Sequence, residues 1–227
     1  MTARTQVLGE QVVEQLRELI ITGALAPGTH MVESRLSAQF GVSRGPIRDA
    51  LVQLDAEGLV ESRRRGVFAR GLSSADITEL YQVREAVEDM ALRIAANAPS
   101  QAWEITGGPL ERMREAAQHD DHLTFAHADR DFHSQFYVIA GNVRLEKVWN
   151  QIEPTFAVLM ELTTAEDIDL GPSYESHVKL RDLMLSGDAG AARSHLREHL
   201  VGSRSRLVRA FTRASAAREA RNPPESP

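Results

Sequence analysis

Residues 34–54 read SRLSAQFGVSRGPIRDALVQL, and this stretch decides the fold of the N-terminal part of the chain. Apolar residues at helical spacing predict a short helix over 34–40 and a longer helix that begins after Ser43. Gly41 and Val42 form the tight turn between them, and Ser43 is a residue type that commonly caps the N-terminus of a helix. Two helices joined by so short a turn are typical of a helix-turn-helix.

The segments on either side indicate a winged form of this motif. Apolar residues recur at helical spacing over 8–22, which predicts a preceding helix. Residues 59–62 and 67–70 read as two short strands around the turn Arg63-Arg64-Arg65-Gly66. We therefore predict a winged helix-turn-helix over residues 1–72, in which a small basic β-hairpin follows the helices.

After residue 72 the pattern is helical, and no strand pattern occurs. The predicted helices span 73–97, 110–118, 123–140, 145–163, 174–185 and 189–212. Glycine and proline mark their connections, so we expect an antiparallel all-α bundle over residues 73–213. Residues 214–227 are rich in alanine, arginine and proline, and we expect a disordered tail there. The predicted fold class is mainly α.

The composition excludes several classes of protein. The 227 residues include no cysteine, which excludes disulfides and thiolate metal sites and fits a cytoplasmic protein. No apolar run reaches the roughly 18 residues of a membrane span. The net charge is −6, but residues 1–72 hold nine arginines against eight acidic residues, about +1, which leaves about −7 for the rest. A locally basic head on an acidic body suits DNA, because phosphate contacts depend on the local patch.

The candidate DNA-reading residues lie at the start of the third helix. Arg44 and Arg48 are four residues apart and share a helix face, so either can contact a guanine edge or a phosphate. Ser43 caps this helix, and the small Gly45 and Pro46 permit a close approach to the DNA backbone.

The predicted wing tip adds a second set of cations. Arg63, Arg64 and Arg65 repel one another unless an anion neutralises them, and a minor groove or adjacent phosphates would do so. Gly66 lets the hairpin turn and approach DNA closely. A pair of arginines on an exposed helix is by itself more often a solvated face, but the surrounding pattern favours DNA binding.

Histidines and one carboxylate in the helical part form a candidate metal site. Asp129 and His133 are four residues apart and share a helix face, while His177 and His199 lie on later helices. Three imidazoles and one carboxylate suit Zn²⁺ best, with Ni²⁺ and Mn²⁺ as alternatives. Each histidine taken alone is more often a surface residue or a hydrogen-bonded core residue than a metal ligand, and His195 competes with His199 for the fourth place.

Arg84 is a candidate anion-binding residue. It interrupts an apolar helical stripe, and a buried arginine needs an anion. That anion is either an internal glutamate such as Glu88 or the carboxylate of a bound effector, which a guanidinium matches with two hydrogen bonds.

These motifs resemble those of a known family. Residues 8–71 resemble the DNA-binding domain of the GntR family of bacterial regulators, through the stretches at 25–28, 36–44, 46–51, 54–60 and 65–66. Residues 74–212 resemble the FCD ligand-binding domain of its FadR subfamily, through the stretches at 80–88, 129–133, 140–145, 176–177 and 187–200. Many members of that subfamily bind a divalent metal through an aspartate, a histidine four residues later and two further histidines.

The resemblance implies a role for each candidate. Arg44, Arg48, Arg65 and Gly66 match the DNA contacts of the family. The metal ligands match Asp129, His133, His177 and His199, and Arg84 is favoured as the anchor of a carboxylate effector. We therefore expect a homodimeric transcription regulator that binds operator DNA and is controlled by a small carboxylate. The alternatives are a metal sensor and a metallohydrolase, although no HExxH-type helix places a general base beside the ligands.

Overall fold

The chain divides into two compact units, residues 1–73 and residues 74–227. The computed structural model describes the backbone of residues 3–221 and the side chains of residues 8–213. Within these residues, no helix combines the length and the apolar character that a membrane crossing requires.

The first unit has the predicted order of three helices and a hairpin. Its elements are α1 (Ala3–Ile21), α2 (Glu33–Phe40), α3 (Arg44–Ala56), β1 (Val60–Arg63) and β2 (Gly66–Ala69). Leu16 and Ile20 of α1 pack in the core with Ile47, Leu51 and Leu54 of α3, and all five are buried. Burial of these apolar side chains drives the association of the helices.

The turn between α2 and α3 forms as predicted. Gly41 ends α2 in the left-handed conformation, with φ of 65°, and its N–H donates to the carbonyl of Ser37. A glycine adopts this conformation without the Cβ penalty, so the chain reverses within a few residues. Ser43 occupies the N-cap position of α3, although its side chain makes no capping hydrogen bond.

The hairpin differs slightly from its prediction. The strands pair antiparallel, with Val60 opposite Ala69 and Arg63 opposite Gly66. Arg63 and Gly66 therefore belong to the strands, and only Arg64 and Arg65 form the turn. The pairing absorbs two residues that we assigned to the turn, because their backbone groups gain hydrogen bonds in the ladder.

The second unit is helical in the residues that the structure describes. Its helices are α4 (Ser74–Ala95), α5 (Gly107–Gln118), α6 (His122–Ala140), α7 (Val143–Thr164), α8 (Gly171–Leu185) and α9 (Ala189–Arg221), and a 3₁₀ helix covers Ser100–Thr106. The 3₁₀ helix was not predicted, because so short an element shows no clear periodicity. The backbone of α9 extends into the predicted tail, and residues 222–227 lie outside the described part.

Helices α4 and α9 run antiparallel and are tied along their length. Arg193 donates two hydrogen bonds to Asp89, at 2.7 and 2.8 Å. One turn further along, Arg197 donates to Glu85 at 3.0 Å. The hydroxyls of Tyr81 and Ser203 lie 2.9 Å apart, and those of Ser74 and Thr212 lie 3.5 Å apart. Residue numbers fall along one helix as they rise along the other, so the register of the pair is defined over its whole length.

A buried ion pair joins α1 to the C-terminal end of α3 in the first unit. The Nε and Nη2 atoms of Arg17 each donate to Glu57 at 2.7 Å. Only 4% and 6% of these two side chains are exposed. Loss of one partner from such a pair leaves the other charge buried and is strongly destabilising.

We therefore expect Arg17→Met to destabilise the first unit by about 3–5 kcal/mol. The control is Arg48→Met, because Arg48 pairs with Glu33 on the surface and an exposed, solvent-screened pair contributes little to stability. Amide hydrogen exchange of α1 and α3 in the full chain measures the effect. Equal exchange rates in the two variants would contradict the prediction.

Candidate functional site

The start of α3 presents the predicted DNA-reading residues on the surface. Ser43, Arg44, Gly45 and Arg48 are all exposed. Pro46 is different, because it is buried on the core side of the helix. Pro46 therefore contributes to the packing of α3, and the exposed face consists of the other four residues.

Glu33 is part of this surface and was not predicted. The guanidinium of Arg48 donates to both carboxylate oxygens of Glu33, at 3.1 and 3.3 Å. This hydrogen bonding lowers the pKa of Glu33 from its ordinary value, and the charges of Arg48 and Arg44 act in the same direction. The Nε and Nη2 donors of Arg48 can therefore bind a guanine edge or a phosphate only after their hydrogen bonds to Glu33 break.

The wing carries its three arginines on exposed positions. Arg64 and Arg65 form the turn, whereas Arg63 also interacts within the hairpin. Its guanidinium carbon lies 4.8 Å from the centre of the Phe68 ring and the guanidinium contacts Glu61. Glu61 therefore compensates part of the charge of Arg63 within the hairpin, and the Phe68 ring helps to orient the guanidinium.

His30 packs against the wing, in the space left by the missing side chain of Gly66. Its ring stacks on Phe68, with 4.7 Å between centroids and 15° between planes. A Cβ atom at Gly66 would lie 2.4 Å from His30 Nε2, and Gly66 has φ of 126°. Gly66 therefore has two structural reasons to be glycine. His30 was missed because it is far from the hairpin in sequence.

The structure brings the four predicted metal-binding residues together in the second unit. One ligand atom from each of His133, His177 and His199 lies within 4.8 Å of the other two. Asp129 Oδ1 lies 3.3 Å from His133 Nε2 and 3.3 Å from His177 Nε2. The residues come from α6, α8 and α9, so the packing of three helices assembles the cluster.

Hydrogen bonds hold the other nitrogen of each ring. His133 Nδ1 donates to Glu88 at 2.6 Å, and His177 Nδ1 donates to the carbonyl of Ser173 at 2.7 Å. His199 Nδ1 lies 3.1 Å from the hydroxyl of Ser176. Partners of this kind orient metal-binding histidines, because they hold the ring so that Nε2 faces the centre.

The electrostatics of the cluster suit a cation. Burial alone would raise the pKa of Asp129, but His177, His133 and Arg84 outweigh it and hold that pKa well below its usual range. Burial lowers the pKa of His133 and lowers that of His199 much further. The carboxylate of Asp129 is therefore ionised, and burial favours the neutral form of His133 and His199, which is the form in which an imidazole binds a metal ion.

The unsatisfied atoms of the cluster point to the same ligand. Asp129 Oδ1, His133 Nε2 and His177 Nε2 are buried, and none has a hydrogen-bond partner among the described residues. Buried polar atoms are normally paired, since leaving one unpaired costs about 1–3 kcal/mol. Three such atoms lie close together here, and coordination of one divalent metal ion would satisfy all of them.

His195 does not join the cluster. Its Nε2 lies 3.0 Å from both the hydroxyl and the carbonyl oxygen of Ser176. The hydroxyl of Ser176 thus lies between His195 and His199, and His199 is the one beside His133 and His177.

Arg84 is buried, with 1% of its side chain exposed, and it forms the internal ion pair that was one of the two expected interpretations. Its Nε donates to Glu88, which is the internal pair. Its Nη2 is buried without a hydrogen-bond partner among the described residues, and so is the hydroxyl of Tyr137. The guanidinium carbon lies 5.2 Å from the centre of the Phe156 ring. The guanidinium therefore packs against the aromatic core, while one of its donors makes no hydrogen bond among the described residues.

Comparison with known proteins identifies the family. Residues 8–68 match the family described as "Bacterial regulatory proteins, gntR family", and residues 79–202 match the FCD domain. The chain belongs to the GntR family and carries an FCD domain. This GntR-family protein is therefore a DNA-binding transcription regulator and not an enzyme.

Named relatives agree along most of the chain. The regulator is 33% identical over 195 residues to a protein of Paenarthrobacter nicotinovorans named for repression of a D-xylose utilization operon, with 84% of this chain and 86% of the relative covered. It is 27% identical to the gluconate operon transcriptional repressor of Bacillus subtilis, with 77% and 71% covered. A GntR transcriptional regulator from Rhodococcus sp. RHA1 has a TM-score of 0.66 at 25% identity, over 91% of this chain and 98% of that one.

The geometry at Gly66 predicts a defect in the wing. We expect Gly66→Ala to weaken DNA binding, because the new Cβ meets the His30 ring and the backbone conformation costs an alanine on the order of 1–3 kcal/mol. Fluorescence anisotropy measures the affinity, with a labelled DNA duplex selected from a random pool for binding to the wild-type protein. His30→Ala in the same chain should restore part of it, since the steric conflict disappears while the backbone strain remains. Wild-type affinity of the single variant would contradict this account.

Proposed function

We propose that this regulator is a homodimeric repressor whose affinity for operator DNA is controlled by a small carboxylate bound at a divalent-metal site in the FCD domain. The observation that carries the proposal is the cluster of His133, His177, His199 and Asp129, in which three buried ligand atoms lack any other partner among the described residues. The relatives named as repressors support the direction of regulation.

On the DNA side, the exposed start of α3 enters the major groove. Arg44 and Arg48 contact base edges or phosphates there, while the wing residues Arg63, Arg64 and Arg65 lie along the backbone or the minor groove. One recognition helix reads only a few base pairs. A homodimer on a near-palindromic operator doubles that number, since its symmetry matches that of the site.

On the ligand side, the four cluster residues would hold the metal ion. Three imidazoles and a carboxylate suit Zn²⁺, and Ni²⁺ or Mn²⁺ are the alternatives. A metal ion held there would supply a Lewis acid for the carboxylate of the effector. Arg84 Nη2 provides a second anchor for the same carboxylate, because a guanidinium orients it through directed hydrogen bonds.

The relatives narrow the chemistry of the effector. The relative named for D-xylose points to a neutral sugar without a carboxylate, whereas the relative named for a gluconate operon favours a sugar acid as the carboxylate. Such a molecule carries hydroxyls as well as a carboxylate. The buried hydroxyl of Tyr137 is a suitable partner for one of them, since it lies without a hydrogen bond among the described side chains.

If Arg44 reads a base and Arg64 contacts a phosphate, their removal should reduce DNA-binding affinity in different ways. We expect Arg44→Ala to cost about 1–3 kcal/mol of operator binding and to relax base preference, as loss of a bidentate guanine contact does. Arg64→Ala should weaken operator and random DNA alike and reduce the salt dependence of binding. Binding titrations on both DNAs at several salt concentrations test this. Equal losses on both DNAs for Arg44→Ala would remove Arg44 from base readout.

Removal of two ligands tests the metal site. We expect His177→Ala with His199→Ala to abolish stoichiometric metal and the response to effector, while DNA binding persists because it belongs to the other unit. Elemental analysis and operator titration measure both effects. The control is His119→Ala with His127→Ala, since these two histidines are exposed.

The same titrations separate effector control from metal sensing. Operator binding is measured with Zn²⁺ alone and with Zn²⁺ plus gluconate or other sugar acids. A response to the metal alone, unchanged by any acid, would favour a metal sensor. A double variant that retains its metal would show that the site is assigned to the wrong residues.

A further inference from the structure

Glu88 joins the candidate metal site to the candidate effector anchor. Its Oε2 accepts from His133 Nδ1 at 2.6 Å, and its Oε1 accepts from Arg84 Nε. Its side chain is 0% exposed. A single carboxylate therefore contacts one predicted metal ligand and the predicted anion-binding arginine at the same time.

Aromatic side chains surround the guanidinium of Arg84 and restrict its movement. Its guanidinium carbon lies 5.2, 5.8 and 6.0 Å from the ring centres of Phe156, Tyr81 and Trp149. These aromatic groups occupy the space around it, and Glu88 holds Nε. A change in the charge that Glu88 offers is therefore felt by Arg84 through one defined hydrogen bond.

We propose that Glu88 is a positioning residue that couples metal occupancy at His133 to anion affinity at Arg84. This inference rests on the proposed function, because it needs a metal at the cluster and an anion at Arg84. Metal binding by His133 does not in itself require an anion at Arg84, and the reverse is also true. Because both side chains contact the same carboxylate, the two binding events become interdependent.

The coupling has a definite direction. A His133 ring with Nε2 bound to a cation loses electron density, so its Nδ1–H becomes a stronger donor to Glu88. The carboxylate charge then shifts towards His133 and neutralises Arg84 less. Arg84 becomes a better partner for an external anion. The two sites should bind with positive cooperativity, and by linkage the anion should raise metal affinity by the same factor.

Asp89, the next residue on α4, provides a matched comparison. It receives two hydrogen bonds from Arg193 and ties α4 to α9, but it contacts neither His133 nor Arg84. A purely structural role for Glu88 would resemble that of Asp89. A coupling role would affect metal affinity and the Arg84 side chain as well.

The first experiment compares Glu88→Gln with Asp89→Asn in the full-length protein. The glutamine keeps the shape and can still accept from His133, but it lacks the charge. We expect Zn²⁺ affinity, measured by competition with a chromophoric chelator, to fall about 10- to 100-fold in Glu88→Gln, because a charged partner raises the basicity of a metal-binding histidine and a neutral amide does so less. Asp89→Asn should stay within about threefold of the wild type, since such outer partners matter only when they contact a ligand. Equal Zn²⁺ affinities in all three proteins would overturn the proposal.

The second experiment uses the wild-type protein, so it does not depend on a variant that could misfold. The ¹⁵N–¹H resonance of Arg84 Nε, assigned by its absence in Arg84→Lys, is followed during titration with Zn²⁺. Arg84 is not a ligand, so we expect its resonance to move through the change that Glu88 transmits, added to the direct field of the cation. A resonance that stays fixed while His133 binds Zn²⁺ would overturn the coupling and leave the metal site standing. Failure of the wild type to bind Zn²⁺ would overturn the proposed function and the coupling together.

Discussion

A charged side chain inside a protein must be compensated where it lies, and the second unit is organised around that constraint. Arg84 and Glu88 are buried charged groups in a core made mostly of aromatic and aliphatic side chains, and Asp129 lies beside them with 14% of its side chain exposed. Glu88 compensates Arg84, and the imidazoles of His133 and His177 surround Asp129. Removing a charge from water costs several kcal/mol per ion. The helices α4, α6, α8 and α9 must therefore keep their positions for these groups to meet.

Much of the fold could be predicted from the sequence because its signals are local. The turn at Gly41, the buried stripe of α3 and the helical spacing after residue 72 each lie within one short segment. The i, i+4 spacing of Asp129 and His133 also places both on one face of α6 without any tertiary information. His177 and His199 needed the family resemblance, since no local spacing relates them to α6.

The contacts that could not be predicted join residues distant in sequence. Glu88 and His133 are 45 residues apart, and Glu33 and Arg48 are 15 apart. Only the packing of separate elements brings such pairs together. Pro46 shows a related difficulty, because its type suits both a close approach to DNA and the buried first turn of a helix, and the choice depends on which side of α3 faces the core.

The hydrogen bond between Ser74 and Thr212 gives the second unit a mechanical property. An α-helix rises about 1.5 Å per residue, so Thr212 lies about 20 Å along α9 from His199, and Ser74 lies about 21 Å along α4 from Glu88. The two antiparallel helices act as paired struts, since they are stiff along their axes and are tied together between these points. A small tilt of either helix at the histidine cluster would therefore be passed to the other helix at this end. This end begins at Ser74, directly after the last residue of the first unit.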